Sequence, residues 1–261
     1  MHFVKLCGAG NDFVLLNNLD LHIPLAAQPA LARRLCDRHF GVGADGLMVV
    51  EPPEQGGDCK MRFYNADGST AEMCGNGARC ICRYCYETGL SGTVQRIETP
   101  AGLVTGQRLS AEYYRIRLNA PTVIDLHRAG CAYLELGDPG IPQAVLECDV
   151  CGDREALRQR ARALRFDPAF PRGANVNFCA VTGENQVRLL TYERGVEDFT
   201  LACGTGTGAT VAALTLRGKV SGRETRVTVD GGLLTVDFDP EKNEIYLTGP
   251  AQWVFEGELR A

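Results

Sequence analysis

A short glycine-rich stretch occurs twice in the chain, each time after a cysteine and before an apolar run of helical length. The first stretch is Cys74-Gly75-Asn76-Gly77 and the second is Cys203-Gly204-Thr205-Gly206. A glycine-rich turn that leads into a helix leaves backbone N–H groups without partners at the positive end of the helix dipole. A cysteine at that point is favoured as the thiolate, with a pKa below its free value of about 8.5. The two stretches therefore predict two facing thiols with a cradle for an anion between them.

The elements around the two cysteines follow one order in both halves: strands, a polar turn, the cysteine stretch, a helix and further strands. The central helices are predicted at 78–88 and 206–217. Many short strands with one or two helices per half indicate an α+β fold of two pseudo-symmetric domains, each a mixed or antiparallel sheet wrapped around its central helix. The linking segment is expected at 119–130. This gives an N-terminal domain, 1–120, against which the C-terminal strand also packs, and a C-terminal domain, 121–261.

Local patterns predict the other elements of the two halves. Residues 25–38 fit an amphipathic helix that starts near Pro24, and 151–165 fit a second helix rich in Arg and Ala. A hairpin is expected around Thr99–Gly102, and Gly231-Gly232 is expected to form a two-residue hairpin turn.

Composition restricts the partners of the protein. Of 261 residues, 45% are hydrophobic, which is typical of a packed globular protein, and the net charge of −5 argues against nucleic acid or a membrane as partner. The N-terminus does not resemble a signal peptide, and no apolar run approaches the ~20 residues of a membrane span. We therefore expect a cytoplasmic protein that acts on a small molecule. The sequence leaves open whether it forms a homodimer.

The 12 cysteines permit a different class of function, a thiol-rich metal or redox protein. In a reducing compartment we expect free thiols and not a disulfide framework. Cys80 and Cys82 would point to different faces of their helix, and Cys85 with Cys148 and Cys151 completes no compact four-ligand spacing. We predict no metal site.

Two thiols beside one small ligand suit a specific reaction. A carbon acid flanked by two bases loses its proton on one face and regains one on the other, which inverts the stereocentre. Helix N-termini directed at the substrate carboxylate would stabilise the enolate-like state, so that this scheme needs no cofactor. Polar groups end the strand that precedes each cysteine: Asn65 in the first half and Glu193-Arg194 in the second, where Arg194 could hold a carboxylate. Asn175 opens a predicted strand.

Several long motifs, in order along nearly the whole chain, resemble those of the diaminopimelate epimerases. They are Lys5–Phe13, Gly41–Gly46, Asn65–Ser69, Met73–Cys80, Pro171–Phe178, Tyr192–Val196 and Leu201–Gly206.

The resemblance implies a cofactor-independent amino-acid epimerase, most simply one that interconverts LL- and meso-diaminopimelate. It implies that Cys74 and Cys203 are the acid–base pair and that the backbones of Gly75-Asn76 and Gly204-Thr205 hold the α-carboxylate. The distal end of the substrate would be held by four side chains: Asn11, Asn65, Asn175 and Arg194. Glu193 is implied as a further substrate contact and as a group that assists a thiol.

The sequence departs from the family pattern in one segment above all. The family usually has Gly-x-Pro-His in mid-chain, with a His that assists one cysteine, and an Asn often precedes the Pro. The corresponding residues here are Gln143, which cannot titrate but could assist by hydrogen bonding, and Ile141. The segment between Gly195 and Cys203 also has one residue more than usual. These differences leave open a racemase for another amino acid, such as histidine.

Overall fold

The computed structural model describes residues 1–71 and 74–259, and its contacts divide the chain into two compact units. Unit 1 comprises Met1–Ile116 and Gly249–Ala261, and unit 2 comprises Arg117–Thr248. The division into an N-terminal domain, 1–120, and a C-terminal domain, 121–261, stays a prediction.

Unit 1 is built on one run of paired strands. Its strands are β1 (His2–Gly8), β2 (Asn11–Asn17), β3 (Gly46–Glu51), β4 (Cys59–Asn65), β5 (Thr70–Ala71), β6 (Val94–Thr99), β7 (Gly102–Arg108), β8 (Tyr113–Leu118, which runs past the unit boundary) and, from the C-terminal segment, β18 (Gln252–Glu258). Its helices are α1 (Asn18–Leu21), α2 (Gln28–Cys36) and α3 (Gly75–Glu87). β2 pairs parallel with β3, and β4 pairs parallel with β6, while the remaining pairs are antiparallel.

Unit 2 repeats this pairing pattern strand for strand. Its strands are β9 (Pro121–Arg128), β10 (Cys131–Gly137), β11 (Gly140–Glu147), β12 (Asn175–Gly183), β13 (Gln186–Glu193), β14 (Asp198–Thr200), β15 (Thr225–Val229), β16 (Gly232–Asp239) and β17 (Glu244–Pro250, which runs past the unit boundary). Its helices are α4 (Arg154–Arg165) and α5 (Gly204–Leu216). β11 pairs parallel with β12 and β13 with β15, as β2 with β3 and β4 with β6 in unit 1. The predicted α+β class and the internal repeat are confirmed.

The central helix of each unit is buried on nearly every side. In α3 all residues from Gly75 to Cys82 are buried, and in α5 all residues from Gly206 to Leu214 are buried. A helix that is buried all round must be enclosed by its surroundings. Strands β1, β2, β6 and β7 lie against α3, and β10, β11, β12 and β16 lie against α5. Each sheet therefore wraps around the helix that follows a cysteine.

The outer helices are amphipathic and cover the other face of each sheet. Leu35 of α2 belongs to a core cluster with Val14 and Leu47, and Leu157 of α4 packs in a cluster with Phe178. α4 begins three residues later than predicted because Asp153 caps it: the carboxylate accepts from the backbone N–H groups of residues 155 and 156.

Two further sequence predictions need correction. Residues 121–128, which we assigned to the linking segment, form β9, paired antiparallel with β10; Pro121 fits there because it is the first residue of the strand. The two-residue turn between β15 and β16 is Asp230-Gly231 and not Gly231-Gly232, since Val229 pairs with Gly232. Asp-Gly is a favoured sequence for such turns. No helix within the described residues is long and apolar enough to cross a membrane.

Candidate active site

Both cysteines of the repeated motif are the N-cap residues of the central helices. Cys74 has extended backbone angles (φ −134°, ψ 111°), and its Sγ accepts the N–H of Gly77 at 3.4 Å. Cys203 has nearly the same angles (φ −115°, ψ 113°), and its Sγ accepts the N–H of Gly206 at 3.4 Å. The helices therefore begin immediately after the cysteines, earlier than predicted, and each sulfur lies at the positive end of a helix dipole, where a thiolate is stabilised.

In unit 1 the side chain of Asn11 contacts the thiol. Cys74 Sγ donates to Asn11 Oδ1 at 3.6 Å, and Asn76 Nδ2 donates to the same oxygen at 3.5 Å. The other end of the Asn11 amide donates to Asp45 Oδ2 at 2.6 Å. A carboxylate only accepts hydrogen bonds, so Asp45 fixes the amide with its oxygen towards the sulfur.

Asp45 belongs to a cluster of charged side chains near the β1–β2 turn. Asp12 pairs with Lys5 (Nζ to Oδ2, 2.6 Å) and with Arg38 (Nη2 to Oδ1, 2.8 Å), and Arg38 also pairs with Asp45 at 2.8 Å. Burial acts to raise the pKa of Asp12, but the bonds from Arg38 and Lys5 outweigh it and hold this pKa at about 2. Asp12 therefore remains charged at neutral pH, and Asp45 of the same cluster anchors Asn11.

Arg79 places a buried cation one helical turn beyond Cys74. It is fully buried, and its hydrogen-bond acceptors in the described part of the chain are carbonyl oxygens: Asn76 Oδ1 at 2.9 Å, Pro250 O at 3.3 Å and Gly75 O at 3.4 Å. Burial lowers the pKa of Arg79, and negative charge on nearby cysteines, Cys74 among them, acts in the opposite direction. A thiolate at Cys74 and this cation therefore stabilise each other.

The predicted site residue Asn65 lies at the end of β4 in the expected turn. Its backbone N–H donates to Ser69 O at 2.8 Å, and its Nδ2 donates to Ser69 Oγ at 2.9 Å. Asn65 therefore stabilises the turn that precedes Cys74 in the sequence.

In unit 2 the carboxylate of Glu193 contacts Cys203. The Cys203 thiol donates a hydrogen bond to Glu193, and the Thr200 hydroxyl donates to Glu193 Oε1. Burial raises the pKa of Glu193, while these two bonds act in the opposite direction. A carboxylate with a raised pKa is a stronger base, so Glu193 is suited to accept the thiol proton. Thr200 lies in β14, within the segment that is one residue longer than usual.

A hydrogen bond brings Asn175 and Arg194 together. The backbone N–H of Arg194 donates to Asn175 Oδ1 at 2.8 Å, and Arg194 Nη1 donates to Arg172 O at 3.0 Å. Arg194 is an exposed residue. It is thus available to a carboxylate ligand.

Gln143 is fully buried and lies beside the first turn of α5. Its Nε2 donates to Thr205 Oγ1 at 3.0 Å, and Thr205 Oγ1 is 3.6 Å from Cys203 Sγ. The amide thus reaches the thiol of its own unit through a hydroxyl group.

Comparison with known proteins identifies the family of the chain. The family model described as diaminopimelate epimerase matches residues 3–112 and 140–254. The chain belongs to the diaminopimelate epimerase family. It is 39% identical over 284 residues to the diaminopimelate epimerase of Moorella thermoacetica, covering 99% of both chains. It is 36% identical over 276 residues to that of Aquifex aeolicus, covering 99% of this chain and 98% of the relative. The protein is therefore an isomerase.

Solved structures show that the fold of this family extends to more distant proteins. A Bacillus anthracis protein of the PhzF phenazine biosynthesis family matches all of this chain and 99% of its own, with a TM-score of 0.72 and 17% identity. A hydroxyproline epimerase from Agrobacterium vitis matches 98% of this chain and 91% of its own, with a TM-score of 0.66 and 16% identity. At these identities the likeness concerns the fold alone.

The remaining cysteines of this family member are mostly core residues. Cys80, Cys82 and Cys85 are fully buried, and burial raises the pKa of the first two thiols. Cys85 Sγ lies 3.2 Å from the sulfur of Cys59 in β4. Among the described residues no three His, Cys, Asp or Glu side chains are grouped to hold a metal ion.

Several residues that complete the site escaped the sequence analysis. Asp45 and Asp12 lay inside the recognised motifs but had no assigned role, and Thr200 had none either. Asn177 and Thr191, which are buried beside Gln143, were also missed. The pattern Asn175-Val176-Asn177 held a signal, because alternate residues of a strand share a face.

Proposed function

We propose that the protein inverts the α-carbon of diaminopimelate, interconverting the LL and meso forms by a two-base mechanism that requires no cofactor. The observation that carries the proposal is the repeat at the two thiols. Each unit presents one cysteine as the N-cap of a buried central helix, with a backbone N–H on its sulfur. The names of the relatives, which cover almost the whole chain, support the choice of substrate.

In this mechanism one cysteine removes the α-proton as a thiolate and the other, as a thiol, returns a proton to the opposite face. Glu193 takes the proton of Cys203 when that residue acts as the base. For Cys74, the Gly77 N–H, the helix dipole and the buried Arg79 cation stabilise the thiolate.

The substrate carboxylates would be bound by two kinds of group. The first backbone N–H groups of α3 and α5, at Gly75-Asn76 and Gly204-Thr205, lie at the positive ends of the two helices and suit the α-carboxylate and its enolate-like form. The four side chains assigned to the distal end are Asn11, Asn65, Asn175 and Arg194. By binding the distal end of the substrate, which does not react, they would orient the reacting α-carbon.

The test is single replacement of each thiol by a hydroxyl group. In Cys74→Ser and Cys203→Ser we expect epimerisation of diaminopimelate to fall by at least about 10²-fold, because a serine hydroxyl is a far weaker acid than a thiol. Deuterium exchange at the α-carbon in heavy water reports proton removal separately from inversion. A Cys59→Ser variant, changed at a buried thiol away from the helix N-termini, controls for stability. Wild-type turnover in either active-site variant would contradict the proposal.

A second candidate substrate class follows from Gln143 and Ile141. The donor group of Gln143 is used by Thr205, and Ile141 offers no polar side chain where the family often has an amide. A racemase for another amino acid, such as histidine, would fit these changes. Heavy-water exchange over a panel of amino acids separates the two: exchange of diaminopimelate alone supports the first, and exchange of histidine without diaminopimelate supports the second.

A further inference from the structure

A chain of buried side-chain hydrogen bonds runs through unit 2 to the hydroxyl group beside Cys203. Thr191 Oγ1 donates to Asn177 Oδ1 at 2.8 Å, Asn177 Nδ2 donates to Gln143 Oε1 at 2.9 Å, and Gln143 Nε2 donates to Thr205 Oγ1 at 3.0 Å. Strand pairing sets this order. Asn177 pairs directly with Thr191 of β13, and it pairs with the residue two places after Gln143 in β11.

The direction of the chain is fixed by a backbone carbonyl. Asn177 Nδ2 also donates to Ala144 O at 3.3 Å. A carbonyl oxygen only accepts, so the Asn177 amide must keep its nitrogen towards Ala144 and therefore towards Gln143. Gln143 must then present its oxygen to Asn177 and its nitrogen to Thr205. Because Asn177 and Gln143 are fully buried and Thr191 is 3% exposed, water does not compete for these groups.

The fixed orientation of Gln143 determines which hydrogen bonds the Thr205 hydroxyl group can form. A hydroxyl group has one donor hydrogen, and its oxygen already accepts from Gln143. Its hydrogen is left for another acceptor, and Cys203 Sγ lies 3.6 Å away. The sulfur then receives two donors, this hydroxyl and the N–H of Gly206.

The N-terminus of helix α5 packs directly against this chain of hydrogen bonds. A methyl group at Gly206 would lie 2.3 Å from Asn177 Oδ1 and 3.2 Å from Thr191 Oγ1. Only glycine lets the helix N-terminus approach these polar groups so closely. The same packing brings Thr205 within reach of Gln143.

We propose that Gln143 and Asn177 are positioning residues, which orient the Thr205 hydroxyl as a donor to Cys203 and so stabilise its thiolate. This inference deepens the proposed function and rests on the acid–base role of Cys203. Gln143 thereby acts on the thiol of its own unit without titrating. Glu193, which also contacts Cys203 Sγ, is unchanged in every variant below.

The experiment measures the reactivity of the Cys203 thiol in the full-length protein. Alkylation by iodoacetamide requires the thiolate. The rate at Cys203 is followed from pH 5 to 10 by peptide mass spectrometry. Exposed Cys151 serves as the internal standard for the reagent. Loss of a hydrogen bond to a charged group is expected to move the midpoint of the Cys203 profile upwards by about one pH unit in Thr205→Val. Thr205→Ser, which keeps the hydroxyl group, should retain the wild-type midpoint.

A double-mutant comparison tests whether Gln143 acts through the Thr205 hydroxyl group. Gln143→Met removes the bond that holds the Thr205 oxygen, so we expect a smaller upward shift of the midpoint. In the Thr205→Val background the same change should add nothing, because Gln143 acts through the hydroxyl group. An unshifted Thr205→Val profile would overturn the inference, and so would additive shifts in the double variant. If Thr205→Val does not fold, equal midpoints for Gln143→Met and wild type, with Thr205→Ser as the folded reference, would overturn it.

These outcomes are distinguishable from failure of the proposed function. Alkylation requires neither substrate nor turnover. If the midpoints shift as expected while Cys203→Ser retains full turnover, the hydrogen-bond chain stands and the two-thiol mechanism fails.

Discussion

Asp12 offers the sharpest test of how the charged cluster supports the site in unit 1. Its carboxylate pairs with Lys5, which is only 6% exposed, and with Arg38. Asp12→Asn keeps the shape of the side chain and removes its charge. The Lys5 ammonium then keeps neutral acceptors, such as the backbone carbonyl of Gly43, but loses the negative charge of its partner. A buried ammonium without a counter-charge is costly.

The size of the effect follows from the pKa of Asp12. It lies at about 2 in the folded protein against an ordinary value of 3.8, so the folded environment favours the charged form. At 1.36 kcal/mol per pKa unit this difference corresponds to roughly 2.5 kcal/mol of stability at neutral pH. Because the folded pKa is the lower one, this stability is fully present above about pH 4 and is lost as the pH falls towards 2.

The measurement is urea unfolding of wild type and Asp12→Asn, followed by circular dichroism between pH 7 and pH 3. We expect the free energy of unfolding to differ by roughly 2–4 kcal/mol at pH 7, and the difference to narrow below pH 4. Glu54→Gln is the matched control, because Glu54 forms an ion pair of similar length (2.7 Å) with Lys60 but is 63% exposed. Its effect should stay below about 1 kcal/mol. A difference between wild type and Asp12→Asn that is constant with pH would refute the reasoning.

Two further predictions concern unit 2. Glu193→Gln should lower kcat/KM by about 10²–10⁴-fold, because an amide cannot accept the thiol proton. In wild type, activity should fall as the pH drops through the raised pKa of Glu193, whereas a variant with the same acidic limb would show that another group titrates there. Gly206→Ala should lower the free energy of unfolding by about 1–3 kcal/mol, since its methyl group would meet Asn177. Gly92→Ala, where the added methyl group meets open space, is the control, and equal unfolding curves for the two would contradict the argument.

Local sequence rules predicted the elements that depend on neighbouring residues. Glycine after each cysteine, followed by an apolar run, was sufficient to place both central helices. The helices begin earlier than expected because each sulfur itself accepts a backbone N–H, a role that capping statistics assign to Ser, Thr, Asp and Asn. Strand β9 was missed because only its first residue is buried and its sequence lacks a regular apolar alternation.

The contacts that orient the site depend on strand pairing, which the sequence does not state. Asn11 and Asp45 are far apart in the chain but meet because β2 and β3 run parallel, with Phe13 opposite Gly46. Asn177 and Thr191 meet because β12 and β13 pair in one particular register. Such polar groups were recognisable as residues of a motif, but their partners were not.

Gln143 shows what this difference means for function. In the sequence, Gln143 stands where the family usually has a histidine, so that a titratable imidazole is lost. In the structure its amide accepts from Asn177 and donates to Thr205. An amide keeps one donor end and one acceptor end at every pH, whereas an imidazolium has only donors and could not accept from Asn177. At this position glutamine therefore maintains the direction of the hydrogen bonds across the pH range in which a histidine would lose it. In the proposed mechanism, the proton chemistry of unit 2 is then left to Glu193 and Cys203.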